Sequence, residues 1–267
     1  MRPIPITDPD DPRIAAFREV RERDLVGRQG RFVAEGEVVL RALLSAASRH
    51  EAEAVLIAES RWPKLADVLE ASPTPVFTAS QAVMDAITGF HIHRGILAVG
   101  RKAEPNAPGE LLGGPRAGDI ALAVVGVGNH DNMGGLFRAA AAFGARGVLL
   151  DPTSCDPLYR KAIRVSVGAA LTTPFARLEP DADPARLLTD LGYAPLALSP
   201  DAGETLAEVR RTGPAAIIVG AEGPGLPDSL MARCRRVSIP MASGWDSLNV
   251  ATAAAIALHH LRFGAHG

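Results

Sequence analysis

The sequence predicts an α/β protein with a mostly parallel, doubly wound sheet, preceded by a smaller α/β unit. Three observations predict it. Short apolar runs alternate with stretches of helical length through most of the 267 residues, the pattern of repeated βαβ units. The run at 120–125 is apolar at every position, as a strand covered on both faces must be. Two strand-like runs, ending at Val219 and Ile239, open into loops of glycine, proline and a few polar side chains, and such strand ends are where an α/β sheet builds a ligand crevice.

The first unit takes residues 1–103. Arg13, Ala16, Phe17 and Val20 share one helical face. Residues 31–36 form a strand leading into a helix over 37–47. A short apolar strand at 54–58 precedes a helix at 63–70, then a strand at 75–78. Ser80 caps a helix over 81–88, and a strand at 95–99 closes the unit. Residues 104–118 are rich in proline and glycine, a linker signal. The second unit takes 119–267. It starts with the strand at 120–125, followed by a helix over 133–143 and a strand at 147–150. A helix at 157–165, a strand at 174–178, a helix at 184–191 and a strand at 194–198 continue the alternation. The strand at 215–219 enters a loop around Glu222. A short helix at 228–233, a strand at 236–239 and a long helix over 247–263 complete the chain.

Composition narrows the function. Apolar residues are 47% of the chain and the net charge is −2, so the protein is expected to be globular and soluble. No apolar run approaches the ~20 residues that span a bilayer, and the first residues lack the apolar core of a signal peptide. Cys155 and Cys234, the only cysteines, supply neither a disulfide framework nor a zinc site, so a reducing cytoplasm is expected. Aromatics at 4% disfavour base-stacking platforms. Lys64, Lys102 and Lys161 are the only lysines among 28 cations, and arginine's planar fork suits phosphate. Six arginines between Arg13 and Arg31 face three acids, which is either an RNA-contacting patch or a solvated helix face with ordinary ion pairs.

Three segments carry the chemistry. In the first, Gly126 and Gly128 follow a strand and open a helix, which invites a dinucleotide-binding reading with Asp151 as the ribose acid, but Asp131 stands at the third glycine position. The alternative centres on Asn132 and Arg138. Asn132 sits where a helix cap belongs. Gly134 and Gly135 cost the first helical turn roughly 1 kcal/mol each relative to alanine, which points to a close backbone approach. Arg138 lies on an otherwise apolar helix and needs an internal acid, a ligand phosphate or water. In the second segment Gly220, Gly223, Pro224 and Gly225 make a tight turn around Glu222. In the third, Ser247 and Asn249 stand two apart at a helix start, where Asp246 competes for the cap.

As a set, residues 129–150, 217–226 and 239–258 closely resemble the three motifs of the SpoU (TrmH-type) RNA 2′-O-ribose methyltransferases of the SPOUT superfamily. The resemblance runs from about 120 to 263. Residues 32–36 and 93–98 look like the substrate-binding extension of many members. The resemblance implies a parallel α/β sheet whose last strands and helix form a trefoil knot, a feature no pattern predicts. It implies S-adenosylmethionine held mainly by backbone at Leu198, Ser199, Gly220, Gly225, Ile239, Met241 and Leu248, a homodimer with the site near the interface, and no metal; His91 and His93 alternate as on a strand or loop. The functional side chains implied are Asn132, Arg138, Glu222, Ser247 and Asn249, with Glu222 orienting Arg138 or its loop. The segment departs from the family at Asn129-His130-Asp131, where members carry an acid-Pro-Gly lead-in. The implied substrate is RNA, ribosomal ahead of transfer RNA. A non-catalytic RNA-binding factor on the same fold and a nucleotide-cofactor oxidoreductase are the competing readings.

Overall fold

The computed structural model describes residues 3–18, 30–89, 92, 94–242 and 246–264. The chain forms two compact units, one of Met1–Glu104 with Leu158–Thr172, the other of Pro105–Pro157 with Thr173–Gly267.

In the first unit, strands β1 (Ile4–Ile6), β2 (Arg31–Glu35), β3 (Glu51–Ala58), β4 (Val76–Ala79) and β5 (Ile96–Arg101) make a sheet of order β1-β4-β3-β5-β2. β4 runs parallel to β1 and β3, whereas β5 is antiparallel to β3 and β2. Helices α1 (Glu37–Leu43), α2 (Trp62–Glu70) and α3 (Gln81–Thr88) connect them. Ser80 caps α3 as expected, accepting from the Val83 N–H at 3.3 Å. Ile6, Ile14, Phe17, Leu56, Phe77, Met84 and Leu97 build one core. Strand β1 was not legible in the sequence, because three residues rich in proline carry too short a pattern. The helix expected from Arg13 is a 3-10 turn over Pro12–Phe17, capped by Asp11; Val20 lies outside the described residues.

The second unit contains α4 (Pro108–Leu112), β6 (Ile120–Val124), α5 (His130–Ala142) and β7 (Val148–Leu150). Helices α6 (Arg160–Val165) and α7 (Ala169–Thr172) come next in the chain but group with the first unit. β8 (Phe175–Arg177), α8 (Pro184–Asp190), β9 (Ala194–Leu198), β10 (Glu204–Thr205), β11 (Ala215–Val219), α9 (Asp228–Met231), β12 (Arg235–Ser238) and α10 (Val250–Phe263) complete the second unit. Its seven strands run in the order β10-β12-β9-β11-β6-β7-β8, and every pairing is parallel. The mostly parallel sheet is therefore present, with all five residues of β6 and of β11 buried.

Two features depart from the linear reading. The stretch 104–118 contains a helix, α4, whose Leu111 and Leu112 join the core with Leu149, Leu188 and Ile218. Segment 158–172 completes the first unit: the Arg49 N–H donates to the Leu171 carbonyl at 3.0 Å, and α6 packs on β2. Ala162, Ile163, Ala170 and Leu171 are buried, but their apolar character in the sequence does not say which core covers them.

Candidate active site

Strand order decides where the polar loops meet. The chain leaves β6 outward through β7 and β8, then crosses so that β11 lies against the other side of β6. The loops after β6 and β11 therefore flank the point where winding reverses, which opens a crevice at the carboxyl ends of the strands. The register Val124↔Val219 and the bond from the Val125 N–H to the Val219 carbonyl at 2.9 Å bring both loops to the same level.

Each loop is fixed by its own hydrogen bonds. After β6, the Gly126 N–H donates to Asp151 Oδ1 at 2.9 Å, and the Val127 N–H to Ser154 Oγ at 3.1 Å. Asp151 also accepts from the hydroxyls of Thr153 and Ser154. Burial works to raise its pKa, but bonds from Ser154, Thr153 and the Gly126 N–H hold the carboxyl below the usual range. Asp151 thus knits protein loops together, and the ribose-acid role in a dinucleotide site loses its residue. Arg177 donates to the Asp151 and Ser154 carbonyls at 2.9 Å each. After β11, the Gly225 N–H returns to the Ala221 carbonyl at 3.1 Å, and a Cβ on Gly220 would lie 2.4 Å from the Gly225 carbonyl carbon. Gly220 is required by loop closure itself.

Helix α5 starts earlier than its apolar pattern implies. Asn129 is its cap, with Oδ1 accepting from the Asp131 and Asn132 N–H groups at 2.8 and 3.3 Å. Asn132 is therefore not a cap but a buried residue of the first turn, 7% exposed. At the start of α10, Asn249 Oδ1 caps the helix by accepting from the Ala251 and Thr252 N–H groups. Its Nδ2 donates to Asn132 Oδ1 at 2.8 Å and to Glu222 Oε1 at 3.1 Å. The close approach foreseen for the glycine pair is real at Gly135, where a Cβ would stand 2.7 Å from Ala251 Cβ. That contact brings α5 and α10 together and places Asn132 beside Asn249.

Three of the five expected side chains, Asn132, Glu222 and Asn249, thus form one hydrogen-bonded group. Arg138 is not part of it. Six residues along α5 from Asn132, it lies about 240° further round the helix, exposed to solvent, with no hydrogen bond or ion pair to any described residue. Glu222 accepts from Asn249, and among the described residues it makes no hydrogen bond or ion pair with Arg138. Ser247 is exposed two residues before the cap, and Asp246 does not take the cap. Ser199, Gly220 and Ile239 follow β9, β11 and β12, which are neighbours in the sheet, so they line one continuous lip at its carboxyl edge with half-buried Leu198. Met241 is half-buried and Leu248 exposed on the segment leading to α10; Gly225 closes the Glu222 loop.

Elsewhere, Arg13, Arg18 and Arg31 are paired with Asp11, Asp10 and Glu53. Arg21, Arg23 and Arg28 of the same stretch, like His91 and His93, lie outside the described residues. Among the described residues no cluster of metal-ligating side chains occurs, and no helix is long and apolar enough to cross a membrane. Burial pushes the Cys155 and Cys234 thiols up to about 11, so neither is a thiolate nucleophile near neutral pH. Sequence reasoning missed Asn129 and Asp151 as the supports of the first loop; an Asn three residues before the first buried helical position was the available signal.

The chain is similar to known proteins in sequence and in fold. The model of the SpoU rRNA Methylase family matches residues 119–259. A Mycobacterium tuberculosis protein named as an uncharacterised tRNA/rRNA methyltransferase is 39% identical over 95% of this chain and 90% of its own. A crystal structure of an RNA 2′-O ribose methyltransferase superposes with a TM-score of 0.80 at 27% identity, over 98% of this chain and 99% of that one. An AdoMet-bound rRNA methyltransferase from Sinorhizobium meliloti reaches the same TM-score at 23% identity over 97% of both chains, a likeness of fold.

Proposed function

This chain belongs to the SpoU rRNA Methylase family, and from that premise we propose that it methylates the ribose 2′-hydroxyl of RNA with S-adenosylmethionine as donor, ribosomal RNA ahead of transfer RNA. RNA methyltransferase activity comes with membership. The ribose oxygen is supported by the solved relative named for that reaction, and the ribosomal target by the family's own description. The observation that carries the reading is the Asn132–Asn249–Glu222 group, set at the switch point of a parallel sheet beside a lip of three half-buried strand ends.

The lip fits the donor. Three adjacent strand ends bring the half-buried backbone of Ser199, Gly220 and Ile239 to one edge, with the Ser199 N–H held by the Val237 carbonyl at 3.0 Å and Leu198, Met241 and Leu248 as apolar cover for a nucleoside. S-adenosylmethionine, when bound, supplies a methyl group already activated on a sulfonium. What remains for the protein is to position and polarise the hydroxyl. Arg138, with five donors and an exposed guanidinium, holds an RNA phosphate and stabilises negative charge growing on the 2′-oxygen. A guanidinium keeps its proton, so the hydroxyl proton leaves to solvent. Asn132, Asn249 and Glu222 lock the mouth of the crevice, and Ser247 faces the incoming nucleotide. The first unit acts as the RNA-binding extension, and the final strands with α10 carry the family's trefoil knot.

The working form is a homodimer. Ile256, His259 and Phe263 form one face of α10; Ile256 is 40% and Phe263 64% exposed. Phe143 joins them, its ring 5.6 Å from His259. An apolar stripe on water supports a second copy as its cover. The reading is tested by transfer of radiolabelled methyl to purified ribosomal and transfer RNA, with nuclease mapping of the methylated ribose. Arg138→Ala is expected to keep donor affinity by calorimetry and to lose transfer at least 100-fold. Full turnover in that variant refutes the role given to Arg138, and label on a base refutes the ribose assignment.

A further inference from the structure

The second unit gathers arginines at the edge of its sheet opposite the crevice. Four come from separate parts of the chain: Arg116 in the turn before β6, Arg146 before β7, Arg211 before β11 and Arg262 in the last turn of α10. They meet around the turn 113–119. Arg146 has its acceptors: Nη1 donates to Asp119 Oδ2 at 2.8 Å and to the Gly114 carbonyl at 3.1 Å, Nη2 to the Gly113 carbonyl at 2.6 Å, and Nε to the Leu111 carbonyl at 3.2 Å. Asp119 is thereby taken, and it also accepts from the Arg116 N–H at 3.0 Å.

The other guanidiniums make no direct ion pair with a described carboxylate. Arg211 Nη1 donates to the Ala117 carbonyl at 3.0 Å, and Arg262 Nη1 reaches the next carbonyl, Gly118, at 3.4 Å. Adjacent carbonyls hold the two groups side by side. Arg211 Nε is buried without a hydrogen-bond partner. No described carboxylate forms an ion pair with Arg116, Arg211 or Arg262. Burial, and then the charge of Arg262, press the Arg211 pKa below the ordinary arginine value against the smaller opposing pull of Asp119. Each guanidinium carries five donors, so most of theirs remain unused. An oxyanion with several acceptor oxygens matches that fork geometry.

We infer that Arg211 and Arg262, with Arg116 beside them, bind the phosphodiester backbone of RNA at the amino-terminal edge of the second unit's sheet. Its distance from the crevice follows from α10, which starts at the Asn249 cap and ends at Arg262, about 20 Å away at 1.5 Å per residue. A strand bound there is gripped several nucleotides from the one that reacts. The choice of RNA as the anion rests on the function proposed above; the need for an anion rests on the arginines alone.

The test is fluorescence anisotropy of the full chain with a labelled single-stranded RNA of about 20 nucleotides over a series of KCl concentrations. The Arg211→Gln/Arg262→Gln double variant is expected to bind at least tenfold more weakly at low salt. Its log–log salt slope is expected to be shallower by about 1.4, two contacts at ~0.7 each for a single strand. The Arg211→Lys/Arg262→Lys variant keeps the charge and is expected within about threefold of wild type. An unchanged slope and affinity in the Gln variant overturn the inference. So does an equal loss in both variants with equally lowered melting temperatures, which marks the arginines as braces for the turn. Tighter, arginine-dependent binding of polyglutamate than of RNA assigns the edge to an acidic protein and overturns it as well. Methyl transfer by the wild type is scored separately: its absence with the salt effect intact removes the proposed function and leaves this site standing.

Discussion

Asn249 uses both ends of its amide. The oxygen caps α10, and that fixes the orientation of the group, because a flipped amide would face its oxygen toward Asn132 Oδ1 and Glu222 Oε1. Cap and site are separable by substitution. Asn249→Asp retains a capping oxygen at a helix N-terminus, where a negative charge is favourable, but it replaces the donor with an acceptor facing a carboxylate. We expect a melting temperature within a few degrees of wild type and a methyl-transfer rate at least tenfold lower. A rate near that of wild type would show that the link to Asn132 and Glu222 does not matter. Arg138 illustrates what residue-level reading misses. Its neighbours Ala139 and Ala140 are buried while Ala141 and Ala142 are exposed. A run of alanines carries no sign of which face meets water, so the sequence left an internal acid, a ligand phosphate and water all open as the partner of Arg138.

Helices α5 and α10 hold the site by their closest contact. A methyl on Gly135 would sit 2.7 Å from Ala251 Cβ, forcing α10 and its cap away from Asn132. In an isolated helix Gly→Ala gains about 1 kcal/mol, whereas overpacking costs about 1–3 kcal/mol. The contact should therefore win, and Gly135→Ala is expected to lower both stability in urea and methyl transfer. Ala251→Gly in that background removes the clash and should restore transfer. Failure of the rescue would mean that Gly135 serves some other purpose. The glycine pair announced a close approach in the sequence; its partner, more than a hundred residues on, did not.

At the scale of the whole molecule, the chain is not two beads on a string. Segment 158–172 belongs to the first unit although both its flanks belong to the second, so the units are joined by three chain crossings. The face built from half-buried Phe143 and exposed Ile256, His259 and Phe263 is open to solvent among the described residues. Phe263→Glu places a charge on that face and should raise the dissociation constant of the proposed homodimer at least tenfold in sedimentation equilibrium, with the monomer still folded by circular dichroism. A variant that remains equally dimeric would move the interface elsewhere.

The amino-acid sequence by itself determined the order of strands and helices apart from the short β1, β10, α4 and α7, the cover on both faces of β6 and β11, and the presence of polar side chains just past those strands. These are local properties: propensity, periodicity and capping act over a few residues. Only the tertiary structure decided that β11 lies against β6, that Asn249 reaches Asn132 across 117 positions, that Asn129 rather than Asn132 is the cap, and that arginines from four parts of the chain gather around the turn 113–119. Strand order and helix contact are set by surfaces that become complementary only once the chain has closed its long loops.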